Sequence, residues 1–263
     1  MAVKLKKSYG QHFLVNKNIL SKIIETAALN FQDTVLEIGA GSGILTKHLS
    51  KKAKTVVAVE IDERWVKKLR QEFTSKSMEI IFGDILKVFP NLKLPRNYKI
   101  VANIPYQITA PILSLILKSK KRPSLMVLML QKEVAEKICS SPPNMNRLGI
   151  LVQFFARPKI VSLVSKNSFS PRPAVDSAIL LFDEISNKNF NEDFFRLVKI
   201  GFAAKRKKLL NNLSCGFQLE KRDLIDIMKK TGLKLDIRAQ ELKIKDWQKL
   251  FNEIESFHAK PKS

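Results

Sequence analysis

The chain has 263 residues, 45% of them hydrophobic, which is enough for a large core in one big domain or in a domain with an appendage. Its 47 Lys and Arg against 24 Asp and Glu leave a net charge of +23, a balance that favours a polyanionic partner. Two cysteines, Cys139 and Cys215, with no CxxC pair and only three histidines exclude a disulfide framework and argue against a zinc site, so no metal is expected. The longest apolar run, Ser124–Leu130, is too short for a membrane span and suits a buried strand.

The chain opens on a basic arm with Lys4, Lys6 and Lys7. No apolar segment follows it, so it does not read as a secretory signal, and a cytoplasmic location is expected. One helix is predicted over Lys17–Ala28. From Thr34 to about Phe182, short apolar β-branched runs alternate with helical patterns, which predicts an α/β domain with a parallel sheet wound on both faces. The predicted strands are Thr34–Ile38, Thr55–Glu60, Glu79–Phe82, Lys99–Asn103 and Ser124–Gln131. Further runs at Ile150–Phe155, Ile160–Val164 and Ala178–Phe182 lie too close together for crossover helices, so the sheet is expected to finish in antiparallel strands. A composition break at Ser186–Asn189 ends the strand signals. Beyond it Phe194, Leu197, Val198, Phe202, Leu209 and Leu213 follow helical spacing, as do Ile244, Trp247, Phe251 and Ile254. Residues 1–186 are therefore expected to form a sheet domain with a basic arm, and 187–263 a small all-helical domain.

Two stretches carry chemistry. Val35–Gly43 is an apolar strand running into a glycine-rich turn that lets backbone approach a nucleoside cofactor. A dinucleotide fold wants GxGxxG, whereas Gly39, Gly41 and Gly43 spell GxGxG, which weakens a nicotinamide reading. Glu60 ends the second strand about twenty residues on, where a carboxylate can accept from both ribose hydroxyls. Asp84 ends the third, where it can accept from an adenine amine or cap the helix beginning at Ile85.

Asn103-Ile104-Pro105-Tyr106 closes the fourth strand with an amide, carbonyls and an aromatic face, which is what a planar base with an exocyclic amine requires. That amine is a poor nucleophile until its nitrogen pyramidalises. The Asn103 side-chain oxygen and the Ile104 carbonyl can accept its two hydrogens and favour the reactive geometry. Pro105 stiffens the turn and adds no donor, and Tyr106 offers a stacking face. No general base is needed, because the amine turns acidic once methylated. Together the two stretches point to methyl transfer onto adenine.

Gly10–Leu14, Glu37–Gly41, Asn103–Tyr106, Phe169–Ser177, and Arg147-Leu148 ahead of Leu151–Gln153 make the chain resemble the small-subunit ribosomal RNA adenine dimethyltransferase family. The resemblance extends over nearly the whole length, including Phe202–Leu213 and Arg238–Leu242. It implies a Rossmann-like methyltransferase sheet with a helical C-terminal domain. It also implies S-adenosylmethionine as cofactor, contacted by His12, Leu14, Gly41, Glu60, Asp84 and Asn103 with Gly39 in the same turn, and Phe169 closing the other side of the adenine pocket. The family pattern usually has Asn where His12 stands, and often Asn where Gln107 stands.

A target base must lie outside a helical stack to enter such a pocket, so a loop or extruded nucleotide is expected. Lys205-Arg206-Lys207-Lys208 reads as a charged stretch within a helix. With the overall charge and the resemblance it is taken as an RNA-backbone contact, with Arg147 and the Lys4–Lys7 arm as further candidates. The expected role is dimethylation of adjacent adenines in a small-subunit rRNA hairpin during ribosome biogenesis, by a monomer with no membrane partner. The alternatives are a large-subunit rRNA methylase of the antibiotic-resistance type, and an assembly factor acting mainly by binding.

Overall fold

The computed structural model describes residues 11–217 and 219–258. Lys4, Lys6 and Lys7 lie outside them. Strand β1 (Phe13–Leu14) leads into helix α1 (Lys17–Ala27). Asn16 starts α1 by accepting from the amides of Asn18 and Ile19, and the helix buries Leu20, Ile23 and Ala27. Strands and helices then alternate: β2 (Thr34–Ile38), α2 (Ile44–Leu49), β3 (Thr55–Glu60), α3 (Glu63–Glu72), β4 (Met78–Phe82), α4 (Ile85–Val88), β5 (Lys99–Asn103), α5 (Thr109–Lys118) and β6 (Leu125–Gln131). Neighbours in the order β4-β3-β2-β5-β6 run parallel, with Thr34 opposite Thr55 and Asn103 opposite Met129. Helices cover both faces of such a sheet, which is why its strands are continuously apolar; Met126 through Leu130 are fully buried.

After α6 (Lys132–Ile138) and α7 (Arg147–Phe155) come β7 (Arg157–Val164), β8 (Phe169–Ser170) and β9 (Ser177–Asp183). β9 runs antiparallel between β6 and β7, so the sheet finishes in antiparallel strands as expected, in the order β4-β3-β2-β5-β6-β9-β7. β8 turns away from this sheet and pairs antiparallel with β1, setting Leu14 opposite Phe169.

The run Ile150–Phe155, expected as a strand, is instead the end of α7. Local hydrogen bonds decide this: the Asn146 side chain accepts from the amide of Gly149, and its carbonyl accepts from the amide of Ile150. The Gln153 side chain, about one turn on, donates to the carbonyls of Ile138 and Ser140. A short apolar run has no period of its own to oppose these.

The chain divides into two compact units. One contains the sheet and runs to Glu136, then from Phe155 to Lys188; the other takes Lys137–Phe154 and the chain from Asn189 onward. The segment Lys137–Phe154, placed by sequence in the sheet domain, thus groups with the helices, because Met145 and Ile150 are buried in their core. That core is closed by α8 (Glu192–Gly201), α9 (Leu209–Phe217), α10 (Lys221–Lys230) and α11 (Ile244–His258) around the fully buried Trp247.

Lys205–Lys208 was expected inside a helix but forms the turn between α8 and α9. The buried Asn212 side chain donates to the carbonyls of Gly201 (2.6 Å) and Ala204 (3.1 Å), satisfying groups that a continued helix would have used. A β-carbon at Gly201 would meet the Trp247 ring at 2.3 Å. Gly201→Ala is expected to destabilise the helical unit by about 1–3 kcal/mol through overpacking. Hydrogen exchange of the α8 and α11 amides should show it, while β2 to β6 keep their protection.

Candidate active site

The carboxyl ends of the parallel strands open on a cavity of about 280 Å³ in the sheet unit. It gathers Gly39 and Gly41 after β2, Glu60 and Ile61 after β3, Asp84 after β4, and Asn103 through Tyr106 after β5. This is where ligands sit in an open α/β sheet, because the strand order reverses beside β2. His12 also lines it, together with Gln11 and Phe13, which the sequence reading did not single out. Leu14 and Phe169 do not line the cavity. They face each other across β1 and β8, and both are buried in the sheet unit's core.

The N-terminal segment is fastened at both ends of the cavity. The Gln11 side chain donates to Asp62, and the Phe13 ring stands edge-on to Trp65. A β-carbon at Gly41, whose φ is +52°, would lie 2.5 Å from the Phe13 ring, so glycine is needed there for both its conformation and its contact. The His12 ring nitrogen Nδ1 lies 2.8 Å from the Pro171 carbonyl, which only accepts, so that nitrogen carries the proton. The ring also lies nearly parallel to Tyr106, with centroids 6.0 Å apart.

The main chain of His12 does more: its carbonyl accepts from Asn103 Nδ2 at 3.2 Å. That bond engages one of the two Nδ2 protons and fixes which way the Asn103 amide points, which leaves its oxygen as its acceptor end. Tyr106 is held by a 2.8 Å bond between its hydroxyl and Ser177 Oγ, and burial pushes its pKa up, so it remains a neutral phenol.

The acids around the turn are arranged in depth. Glu60 accepts from the amide of Gly41 (2.7 Å) on one oxygen and from the amide of Asp62 (2.9 Å) on the other. These bonds fix the carboxylate's orientation and leave lone pairs on both oxygens. Asp62 is held down to about 2, chiefly by the Arg64 side chain. Asp84 caps α4 through the amide of Leu86 (3.0 Å) and lines the cavity as well, so its two sequence readings are compatible. Ile61 beside Glu60 is 43% exposed, an apolar face next to two carboxylates. Among the described residues, no group of His, Cys, Asp and Glu is set to hold a metal, and no helix is long and apolar enough to cross a membrane.

In the helical unit, the turn Lys205–Lys208 is exposed, and so is Arg147 at the start of α7. The loop 234–240 lies beside both. Ile237 accepts from the amide of Leu209, just after the turn, and Gln240 accepts from the amide of Met145, just before Arg147. Lys234 and Arg238 on that loop are exposed too.

Behind the glycine-rich turn, Glu37 is fully buried in β2, with one carboxyl oxygen lacking a partner. Burial pushes its pKa up to about 8, so it is protonated at neutral pH. The folded protein then holds a proton that the unfolded chain gives up near pH 4.5, and stability falls as pH rises from there towards 8. The slope from this one group is up to about 1.4 kcal/mol per pH unit. Glu37→Gln, which cannot ionise, is expected to flatten the fall in melting temperature across that window in calorimetry. An unchanged slope would show that Glu37 is ionised in the fold.

A family model described as ribosomal RNA adenine dimethylase matches residues 2–256. A ribosomal RNA small subunit methyltransferase A from Dehalococcoides mccartyi is 38% identical, over 94% of this chain and 88% of the relative. Among solved structures, a dimethyladenosine transferase from Plasmodium falciparum is similar with a TM-score of 0.79 and 30% identity, over 93% of this chain and 98% of that one. The 23S rRNA methyltransferase ErmE follows with a TM-score of 0.72 and 25% identity, over 92% and 99%. The sheet is the Rossmann-like methyltransferase sheet, with a helical region after it. The chain belongs to the ribosomal RNA adenine dimethylase family and is an rRNA adenine methyltransferase.

Proposed function

We propose that the protein methylates the exocyclic amines of adjacent adenines in a hairpin of small-subunit rRNA, as a step in ribosome assembly in the cytoplasm. The tethered Asn103 amide carries this reading. Its amino group is bound to the His12 carbonyl, so its oxygen is left for the substrate amine, with the Ile104 carbonyl next in the turn. Acceptors on both amine hydrogens favour the pyramidal nitrogen whose lone pair can attack. Tyr106 presents a ring to the base, and its bond to Ser177 holds that ring in place. Pro105 brings no amide donor that would compete for the same lone pairs. The large-subunit alternative is less favoured, since ErmE is the more distant of the relatives described.

S-adenosylmethionine fits the residues present and supplies the activated methyl group when bound. Glu60 would receive the ribose hydroxyls, Ile61 would lie against the base, and Asp84 would accept from the adenine amine of the cofactor. Gly39 and Gly41 would keep the turn low enough for the cofactor to reach the strand ends. His12 would act through its carbonyl and through its hold on the Pro171 loop, a role that the imidazole can fill in place of an asparagine. Leu14 and Phe169, paired behind the cavity, would support the arm and the adenine-side wall from the core.

For the RNA, Lys205, Arg206, Lys207 and Lys208 would contact phosphates from a turn, which presents its side chains more widely than one helix face. Lys234, Arg238 and Arg147 would extend the surface along the adjoining loop.

Asn103→Ala is expected to lower single-turnover methylation of unmethylated small ribosomal subunits by roughly 100-fold or more, the scale for one preorganised polar contact. Tyr106→Phe, which keeps the ring, should be milder than Tyr106→Ala. A wild-type rate for Asn103→Ala would remove the mechanism. Replacing Lys205, Arg206, Lys207 and Lys208 with Gln should flatten the slope of log RNA affinity against log salt by up to about 3 units. Calorimetry should show unchanged cofactor affinity in that variant.

A further inference from the structure

Phe31, in the turn between α1 and β2, is 75% exposed, the most exposed large apolar side chain among the described residues. A single apolar residue at a surface is ordinary, but this one is presented by a turn that is tied down from several sides. The Asp33 amide donates to the Asn30 carbonyl (3.0 Å), the Asn30 amide to the Asp33 carboxylate (2.8 Å), and the Gln32 amide to Asn30 Oδ1 (2.8 Å). Lys99 reaches from β5 to the same carboxylate (2.9 Å) and to the carbonyl of Ala28 (2.9 Å) at the end of α1. The Asp33 carbonyl accepts from the amides of Lys54 (2.9 Å) and Thr55 (3.2 Å), which fastens the turn to the segment leading into β3.

That segment is basic. From Ile44 to Val59 the chain carries Lys47, Lys51, Lys52 and Lys54 and no acid. All are exposed, and among the described residues none is ion-paired, whereas Lys67, Lys99 and Lys132 of the same unit are. Lys47 lies in the last turn of α2, where the helix's partial negative charge favours a cation. That influence fades within the last turn, so it does not account for Lys52 and Lys54. The loop before β4 adds the exposed Lys76, since the carbonyl of Ser77 next to it accepts from the amide of Val56 in β3 (2.9 Å). Asp33, the acid inside the turn, is paired with Lys99 and does not offset these charges.

The turn and the lysines sit where β2, β3 and β4 begin, whereas the cavity opens where they end. The strands between are long enough to separate the two by roughly 15–20 Å at about 3.3 Å per residue. An aromatic face beside unpaired cations suits a nucleic-acid strand, because the ring accepts any base and the lysines take the phosphates. We propose that this end of the sheet unit is a second rRNA-binding surface, on which Phe31 stacks against an unpaired base while Lys51, Lys52, Lys54 and Lys76 contact the neighbouring phosphates. This rests on the reading of the substrate as small-subunit rRNA. The surface touches neither the cofactor nor the reacting amine, so its loss acts on binding and leaves the chemistry alone.

The test measures binding of the full chain to unmethylated small ribosomal subunits. Phe31→Ala is expected to weaken it by roughly 5- to 150-fold, the scale of one base–ring stack. Melting temperature, affinity for S-adenosylmethionine and the single-turnover rate at saturating subunits should be unchanged. Phe31→Leu keeps apolar bulk without a flat face and should bind as weakly as Phe31→Ala, while Phe31→Trp should retain affinity. Replacing Lys51, Lys52, Lys54 and Lys76 with Gln should flatten the slope of log affinity against log salt by up to about 3 units. A chain carrying photoreactive benzoylphenylalanine in place of Phe31 should crosslink to rRNA when the complex is irradiated. Wild-type affinity in Phe31→Ala, or an unchanged salt slope in the Gln variant, overturns the proposal and leaves the methylation reading standing if Asn103→Ala is inactive. Crosslinking to ribosomal protein alone, or full affinity in Phe31→Leu, also overturns it, because the ring would then pack on protein. If the wild-type chain itself does not bind small subunits, the substrate reading fails and the proposal falls with it.

Discussion

The hydrogen bond from the Asn103 side chain to the His12 carbonyl is the constraint on which the site depends. An amide has a donor and an acceptor end, and an amine about to be alkylated needs only acceptors around its hydrogens. A carbonyl from the N-terminal segment binds the donor end and thereby fixes which end faces the cavity. That carbonyl is in turn held by the pairing of β1 with β8, by Gln11 on Asp62, and by the Phe13 ring lying on Gly41. The segment that lies against the glycine-rich turn therefore also orients the Asn103 amide. Disturbing either end of it should disturb both functions.

The electrostatics divide in the same spirit. The protein carries a net charge of +23, but the acids Glu60 and Asp84 line the cavity at strand ends, with Asp62 capping α3 beside Glu60 and Glu37 beneath the turn. A cationic exterior draws in a polyanion, and an acid-lined interior suits a nucleoside with hydroxyls and a positively charged sulfur. The backbone amides of Gly41 and Asp62 hold Glu60 in one orientation despite its burial. Glu37 instead avoids the charge by keeping its proton.

Much of this was legible in the sequence because the signals were local. Five parallel strands announced themselves by apolar runs closed by Gly, Glu, Asp, Asn or Gln, and the strand-end groups came with them. What could not be read was non-local or ambiguous. His12 and Asn103 are 91 residues apart, and nothing near either one indicates that they bond. Ile150–Phe155 is short and apolar, and only the side chains of Asn146 and Gln153 settle it as helix. The basic run looked helical because its flanks are, and the residue that breaks the helix, Asn212, follows the run and acts backwards on it. Glu37 was visible as part of the glycine motif. A lone acid in the middle of an apolar interior strand was a signal of a shifted pKa that the motif obscured.

The most direct test of the account is nuclear magnetic resonance of the Asn103 side-chain amide in 15N-labelled protein. If the His12 carbonyl holds Nδ2, one of its two protons should be shifted downfield and exchange with water far more slowly than those of an exposed asparagine such as Asn144. Two protons exchanging as fast as those of Asn144 would mean that the amide turns freely, and the acceptor-only pocket described here would not exist.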